Sequence, residues 1–146
     1  MDGQKSTPTI IFHGLFAKVN LDKTINTTTK IRKNKLIDMK DRLLMDSGEF
    51  EKLFDVYSDE KIETMQILTL DTMQKIIDFT DKTKIIPEFT IKENSIYIRF
   101  NTGEIFEANV LKSALDYEKL KKYFDILNFI EIITEDIIKN LEDAGK

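Results

Sequence analysis

The sequence predicts an α+β domain: an antiparallel sheet of about five to seven strands, with a middle helix over about 69–82 and a long C-terminal helix over about 116–142 packed on it. Three observations predict it. β-Branched and aromatic residues dominate Pro8 to Leu21, apolar and polar residues alternate from Phe89 to Phe100, and two stretches, Leu70 to Thr80 and Leu120 to Leu141, repeat apolar residues at helical steps. With 146 residues, 41% of them apolar, the chain is long enough to bury a core without disulfides, and it contains no cysteine. Residues 1–7 are polar and read as a flexible lead-in; residues 8–143 read as a single α+β domain.

The first strand is read over Pro8 to Leu21. Both of its faces are apolar, so it is expected to be covered on both sides for part of its length, and Gly14 marks a bulge or a close backbone approach. After Asp22-Lys23 a more exposed strand runs from Asn26 to Lys33, and Arg42 to Met45 is a short third candidate. Phe50, Leu53 and Phe54 form an apolar turn behind Ser47-Gly48, and Ser58-Asp59-Glu60 reads as a polar turn capping the next segment. Thr69 is an N-cap whose hydroxyl accepts from a first-turn N–H, with Asp71 at the positive end of the helix dipole. Leu70, Met73, Ile76 and Ile77 then form the buried stripe, contributing roughly 1.5–3 kcal/mol each before conformational entropy is subtracted. Glu93-Asn94 separates two alternating strands as a hairpin turn, and Glu104 to Ala108 follows as another strand. Asp116 opens the last helix, whose apolar face (Leu120, Tyr123, Phe124, Leu127, Ile130, Ile133, Ile137 and Leu141, widened by Ile126, Phe129, Ile132 and Ile138) asks for a sheet beneath it. A dimer through this helix or a membrane-surface helix is the alternative use of so broad a face, the dimer ahead because the polar face mixes Glu, Asp and Lys instead of being basic.

The residue inventory excludes several chemistries. His13 is the only histidine and there is no cysteine, so zinc and other His/Cys metal sites and Cys–His pairs are ruled out. The five glycines, at 3, 14, 48, 103 and 145, never cluster into a phosphate-cradling loop, and no glycine-flanked serine elbow accompanies His13. What remains for catalysis is a carboxylate-only metal site drawn from Asp38, Asp41 and Asp46 or from Asp55, Asp59 and Glu60, none of which has calcium-loop spacing. No catalytic, cofactor-binding or metal-binding residue is assigned, and no cofactor is expected. No run approaches the ~20 apolar residues of a membrane span, so the chain itself is expected to be soluble.

One cluster stands out from the mild net charge of −4: Lys30, Arg32, Lys33 and Lys35 fall within six residues. Beside an anionic bilayer each such charge contributes about 1 kcal/mol. No basic helix or base-stacking signature accompanies them, so specific nucleic-acid binding is not expected.

The opening IFHGLFAKVNLDK, the middle run EFEKLFDVYSDEKIETMQILTLDTMQKI, the later SIYIRF and the stretch IFEANVLKSALDYEKLKKY, in that order, resemble the bacterial family known as domain of unknown function 3137 from about Phe12 to about Leu141. Leu70 stands where the family commonly has proline, and Val19-Asn20 where it has Phe-Asn; leucine there forfeits only a preset backbone angle. The resemblance implies a soluble C-terminal part of a membrane-anchored protein, on the cytoplasmic side of the bacterial membrane, with a pair of hydrophobic spans ahead of it. It brings no catalytic residue, ligand or partner. The expected function is a non-enzymatic interaction or scaffold domain at that membrane surface, its partner an unidentified protein or the anionic lipid itself, with Lys30, Arg32, Lys33 and Lys35 as the contact. A small-ligand or peptide pocket between sheet and C-terminal helix is the second reading, to be set aside if Phe89, Ile98, Phe124 and Leu127 fully pack that space, and the carboxylate-only enzyme the third.

Overall fold

Three strands, β1 (Gly14–Lys33), β2 (Phe54–Ser58) and β3 (Pro87–Asn101), make one antiparallel sheet in the order β2-β1-β3 in the computed structural model, which describes residues 14–35, 41–102 and 117–145. The lead-in, the start of the first strand with His13, Asp38, and the Glu104–Ala108 strand lie outside the described residues. The expected five to seven strands are thus corrected to three among the described residues. The reading broke the chain at Asp22-Lys23 and at Glu93-Asn94; each break falls within one continuous strand, although β3 does reverse at Glu93, where the hairpin turn was expected. Arg42 to Met45 contributes only an isolated bridge, Leu43 to Val56.

Both long strands nevertheless bend, and they bend opposite one another. The β1–β3 register shifts between Asn20 and Ile25 and again between Ile25 and Thr29, facing Glu93, whose φ of 55° is left-handed. Glu88 and Arg99, 11 residues apart on β3, share a 2.5 Å contact, whereas an extended strand would hold them about 36 Å apart. On the other face Phe129 touches both Phe89 and Phe100, at 6.3 and 6.1 Å between ring centroids. A ribbon closed face to face would bring only one of its faces together. Contacts on both faces therefore require that the halves of β3 lie edge to edge, folded back at Glu93, with β1 wrapped around the outside. Gly14 meets the close approach expected of it: a Cβ there would stand 1.9 Å from the Phe100 carbonyl oxygen.

Helices cover one face of this sheet. α1 (Gly48–Leu53) is capped by Ser47, whose hydroxyl accepts from the Phe50 N–H at 3.1 Å, and it stacks Phe50 on Phe54. α2 (Lys61–Ile67) is capped by the Glu60 carboxylate and α3 (Leu70–Thr83) by Thr69, whose hydroxyl accepts from the Thr72 N–H at 3.2 Å. Met73, Ile76 and Ile77 are buried, but Leu70, expected in the stripe, is 60% exposed. At that end α3 meets its neighbour through polar groups. Thr72 donates to Asp136, Lys75 Nζ lies 2.6 Å from Asp136, and Asn140 donates to Thr72 and to the Ile67 carbonyl, leaving Leu70 no apolar partner.

α4 (Tyr117–Ala144) lies antiparallel to α3, held there by Lys75–Asp136 and by Lys82–Asp125 at 3.3 Å. Its buried stripe, Ile126, Phe129, Ile133, Ile137 and Leu141, is narrower than the sequence suggests, for Tyr123, Phe124, Leu127 and Ile132 are exposed. Phe129 is the central side chain. It stacks on Phe79 at 4.1 Å and meets Phe89 and Phe100 edge-on, so these four rings occupy the space between sheet and helix.

Phe129→Ala is expected to cost about 3–5 kcal/mol in urea unfolding, since three rings from α3 and β3 close on it. Burial pushes the Asp136 carboxyl up, but hydrogen bonds from Lys75 and Thr72 outweigh it, so its pKa lies below the ordinary carboxylate value. A depressed carboxyl stabilises the fold at neutral pH, and that contribution fades as pH falls through the folded-state pKa. Asp136→Asn should therefore be less stable than wild type at pH 7, with the difference shrinking below about pH 4 in parallel urea titrations.

Candidate anionic contact surface

Strand alternation decides where the four basic residues go. Lys30 and Arg32 share the sheet face turned away from the helices, while Lys33 falls on the other face at the end of β1 and Lys35 follows it out of the strand. Lys30, Lys33 and Lys35 are exposed. Arg32 is half-buried and committed: its guanidinium donates to the Phe89 carbonyl at 2.5 Å, to the Ile31 carbonyl at 3.1 Å and to Thr90 Oγ1 at 2.7 Å. Burial lowers its pKa, Glu88 opposes that and Arg99 adds to it, yet an arginine keeps its charge throughout the physiological range. Arg32 is thus a clamp between β1 and β3 more than a free contact. The structure does not gather the four into one patch.

The fold-back brings other residues beside them. On the helix-free face Phe16 pairs with Arg99 and Lys18 with Tyr97; Phe16, Tyr97 and Arg99 border a cavity of about 90 Å³ with Arg32, Glu88 and Thr90. Phe16 is 62% exposed and lies 6.1 Å from Tyr97, whose ring also carries Lys18 Nζ at 5.7 Å. Sequence reasoning missed Phe16, Lys18, Tyr97 and Arg99 as a group. The alternation in each strand placed them on one face; only the register could place them side by side.

The two ends of the molecule differ in charge. Leu141 and Ala144 of α4, with Gly145 just after it, line one cavity with Lys23 to Asn26 at the bend of β1, so the first turns of α4 run toward the opposite end, where β1 leaves at Lys33 and α3 stops at its left-handed C-cap, Lys84. That end carries Lys33, Lys35, Lys52, Lys84, Lys119, Lys121 and Lys122 among the described residues, against exposed Glu49, Asp81 and Glu118 and half-buried Glu51 and Glu88. The bend end carries Asp22, Glu60, Glu63, Glu93, Glu142 and Asp143, against Lys23, Lys61 and Lys92.

The acidic candidates have structural work instead. Asp59 accepts from Thr27 and from the Thr28 N–H, first the side-chain and then the backbone bond holding its pKa below the usual carboxylate value. Glu60 caps α2, and Ser58 Oγ accepts from the Glu60 N–H, which makes Ser58-Asp59-Glu60 a capping turn. Asp55 is buried against Arg42 at 3.4 Å and accepts from the Lys35 N–H at 3.3 Å. Burial, then Asp55, pushes the neighbouring Tyr57 phenol up, so it stays neutral. Among the described residues no three His, Asp or Glu side chains converge in a way that would hold a metal ion. No described helix is long and apolar enough to cross a membrane. Phe79, Phe89, Phe100 and Phe129 meet between sheet and α4, while Phe124 and Leu127, named with Phe89 and Ile98 as the side chains that would pack that space, face outward.

No curated protein and no solved structure matches the chain significantly. One family model does match, over residues 10–139, and its span takes in all three strands and most of α4. The chain belongs to the family described as protein of unknown function (DUF3137).

Proposed function

We propose that this domain is a non-catalytic interaction module that works against an anionic surface, the cytoplasmic leaflet of the bacterial membrane, with its basic end toward it. The observation that carries the reading is the charge division along the molecule: exposed Lys33 and Lys35 lie toward one end, with Lys30 on the flank, although the chain as a whole is at −4. A protein of net negative charge is repelled by anionic lipid unless its cations are segregated, and here they are. Among the described residues, Lys30, Lys33 and Lys35 form no side-chain ion pair, so neutralising lipid phosphate costs them no existing partner. Carboxylates committed to caps and strand contacts, and a sheet–helix space filled by aromatic rings, support binding over catalysis.

The test is flotation with vesicles of phosphatidylcholine alone and with added phosphatidylglycerol. Binding is expected only to the anionic vesicles, and Lys30→Ala, Lys33→Ala and Lys35→Ala together should weaken it on the order of a hundredfold, at about 1 kcal/mol per charge. Raising the salt from low to near-molar should do the same. Equal binding to both vesicle types, or none to either, would remove the reading.

A further inference from the structure

α4 carries a second apolar stripe that the core does not use. Its first fully buried residue is Ile126; every position from Tyr117 to Asp125 is exposed or half-buried, and this part extends about 18 Å beyond Phe129. Along it Tyr117, Leu120, Phe124 and Leu127 follow one another at steps of three, four and three residues, and Tyr123 packs beside Phe124 with ring centroids 6.0 Å apart. Tyr117 is 75% exposed, Phe124 62% and Leu127 44%. The stripe ends at Glu131 and lies on a different side of the helix from Ile126, Phe129 and Ile133.

Helix stability does not account for this composition. The positive end of a helix dipole favours Asp and Glu, yet Lys119, Lys121 and Lys122 stand within the first two turns against a single Glu118. A bilayer interface accounts for all of it. Tyrosine suits the headgroup level, phenylalanine and leucine the acyl boundary just below, and Lys119 and Lys121, about 100° to either side of the stripe, can lay their stems along it while their ammonium groups reach phosphate.

We propose that the first three turns of α4 are an interfacial segment, Tyr117, Leu120, Phe124 and Leu127 entering the headgroup region of an anionic bilayer with Lys119 and Lys121, which flank the stripe, on its phosphates. This rests on the reading of the basic end as membrane-facing and names the element that enters. A second copy of the chain is the other candidate occupant, and charge argues against it. Pairing two such stripes, in either direction, brings the lysine clusters of the two copies together, and three turns of helix fall well short of the ~800 Å² per partner of a stable interface.

The chain contains no tryptophan, so Phe124→Trp places a single fluorescent reporter on the stripe. With phosphatidylglycerol vesicles its emission should shift to the blue and be quenched by lipids brominated on the acyl chain; with phosphatidylcholine alone it should not move. Phe124→Ser with Leu127→Ser, at positions already facing solvent, should keep the far-UV circular dichroism and reduce partitioning about tenfold or more. If the protein binds anionic vesicles while the reporter stays unshifted, the interfacial segment is overturned and the electrostatic reading of the basic end survives. If nothing binds, both fall. A shift that appears without vesicles, rises with protein concentration and accompanies a doubled mass in light scattering would assign the stripe to a second copy and overturn the proposal.

Discussion

The reversal of β3 at Glu93 is the constraint on which the rest of the structure depends. A non-glycine residue at φ 55° is held in a conformation that costs on the order of 1 kcal/mol, and the surrounding pairing must supply that. What the reversal secures is adjacency. It sets Arg99 against Glu88 on one face and lets Phe129 reach Phe89 and Phe100 on the other. Because β1 follows the bend, Ile25 opposite Glu93, one strand of 20 residues borders both halves of its partner. A sheet built from few strands thereby gains the width to carry two long helices.

The division of labour between the two faces follows from that width. The helix side is aromatic, closed by Phe79 stacked on Phe129 with Phe89 and Phe100 edge-on to the same ring. The other side is polar, crossed by Arg32, which joins the Phe89 carbonyl and Thr90 from the neighbouring strand. An arginine in that position excludes water from backbone groups that would otherwise be exposed, so its charge serves the sheet first. The acidic side chains are similarly engaged, Asp59 with Thr27, Asp55 with Arg42 and Asp136 with Lys75, each tying elements distant in sequence.

Local chemistry made the helices legible. Thr69 caps α3 as its position before an apolar period of three and four implies, and the long last helix follows from a repeat sustained from Leu120 to Leu141. Strand boundaries were less legible because polarity marks both a loop and a bend on an exposed strand; Asp22, Lys23 and Thr24 are exposed within β1, not outside it. Leu70, Phe124 and Leu127 were assigned to the core because periodicity shows which residues share a face, not how far along the helix the neighbouring element extends. The candidate surface was legible only as a run of cations. That Arg32 would be consumed by hydrogen bonds, and that Lys18 and Tyr97 would come alongside, depends on a register that no single stretch of sequence specifies.

Separating the cations of one end from the carboxylates of the other, with Asp22, Glu142 and Asp143 beyond the bend, gives the molecule an electric moment along its length. In the field outside a negatively charged surface such a body experiences a torque before it touches anything. It turns its lysine-bearing pole inward within roughly a Debye length, about 8 Å at physiological ionic strength. Orientation is then settled during approach, so productive encounters become a larger share of all collisions, and that advantage should vanish in concentrated salt even where contact itself is retained.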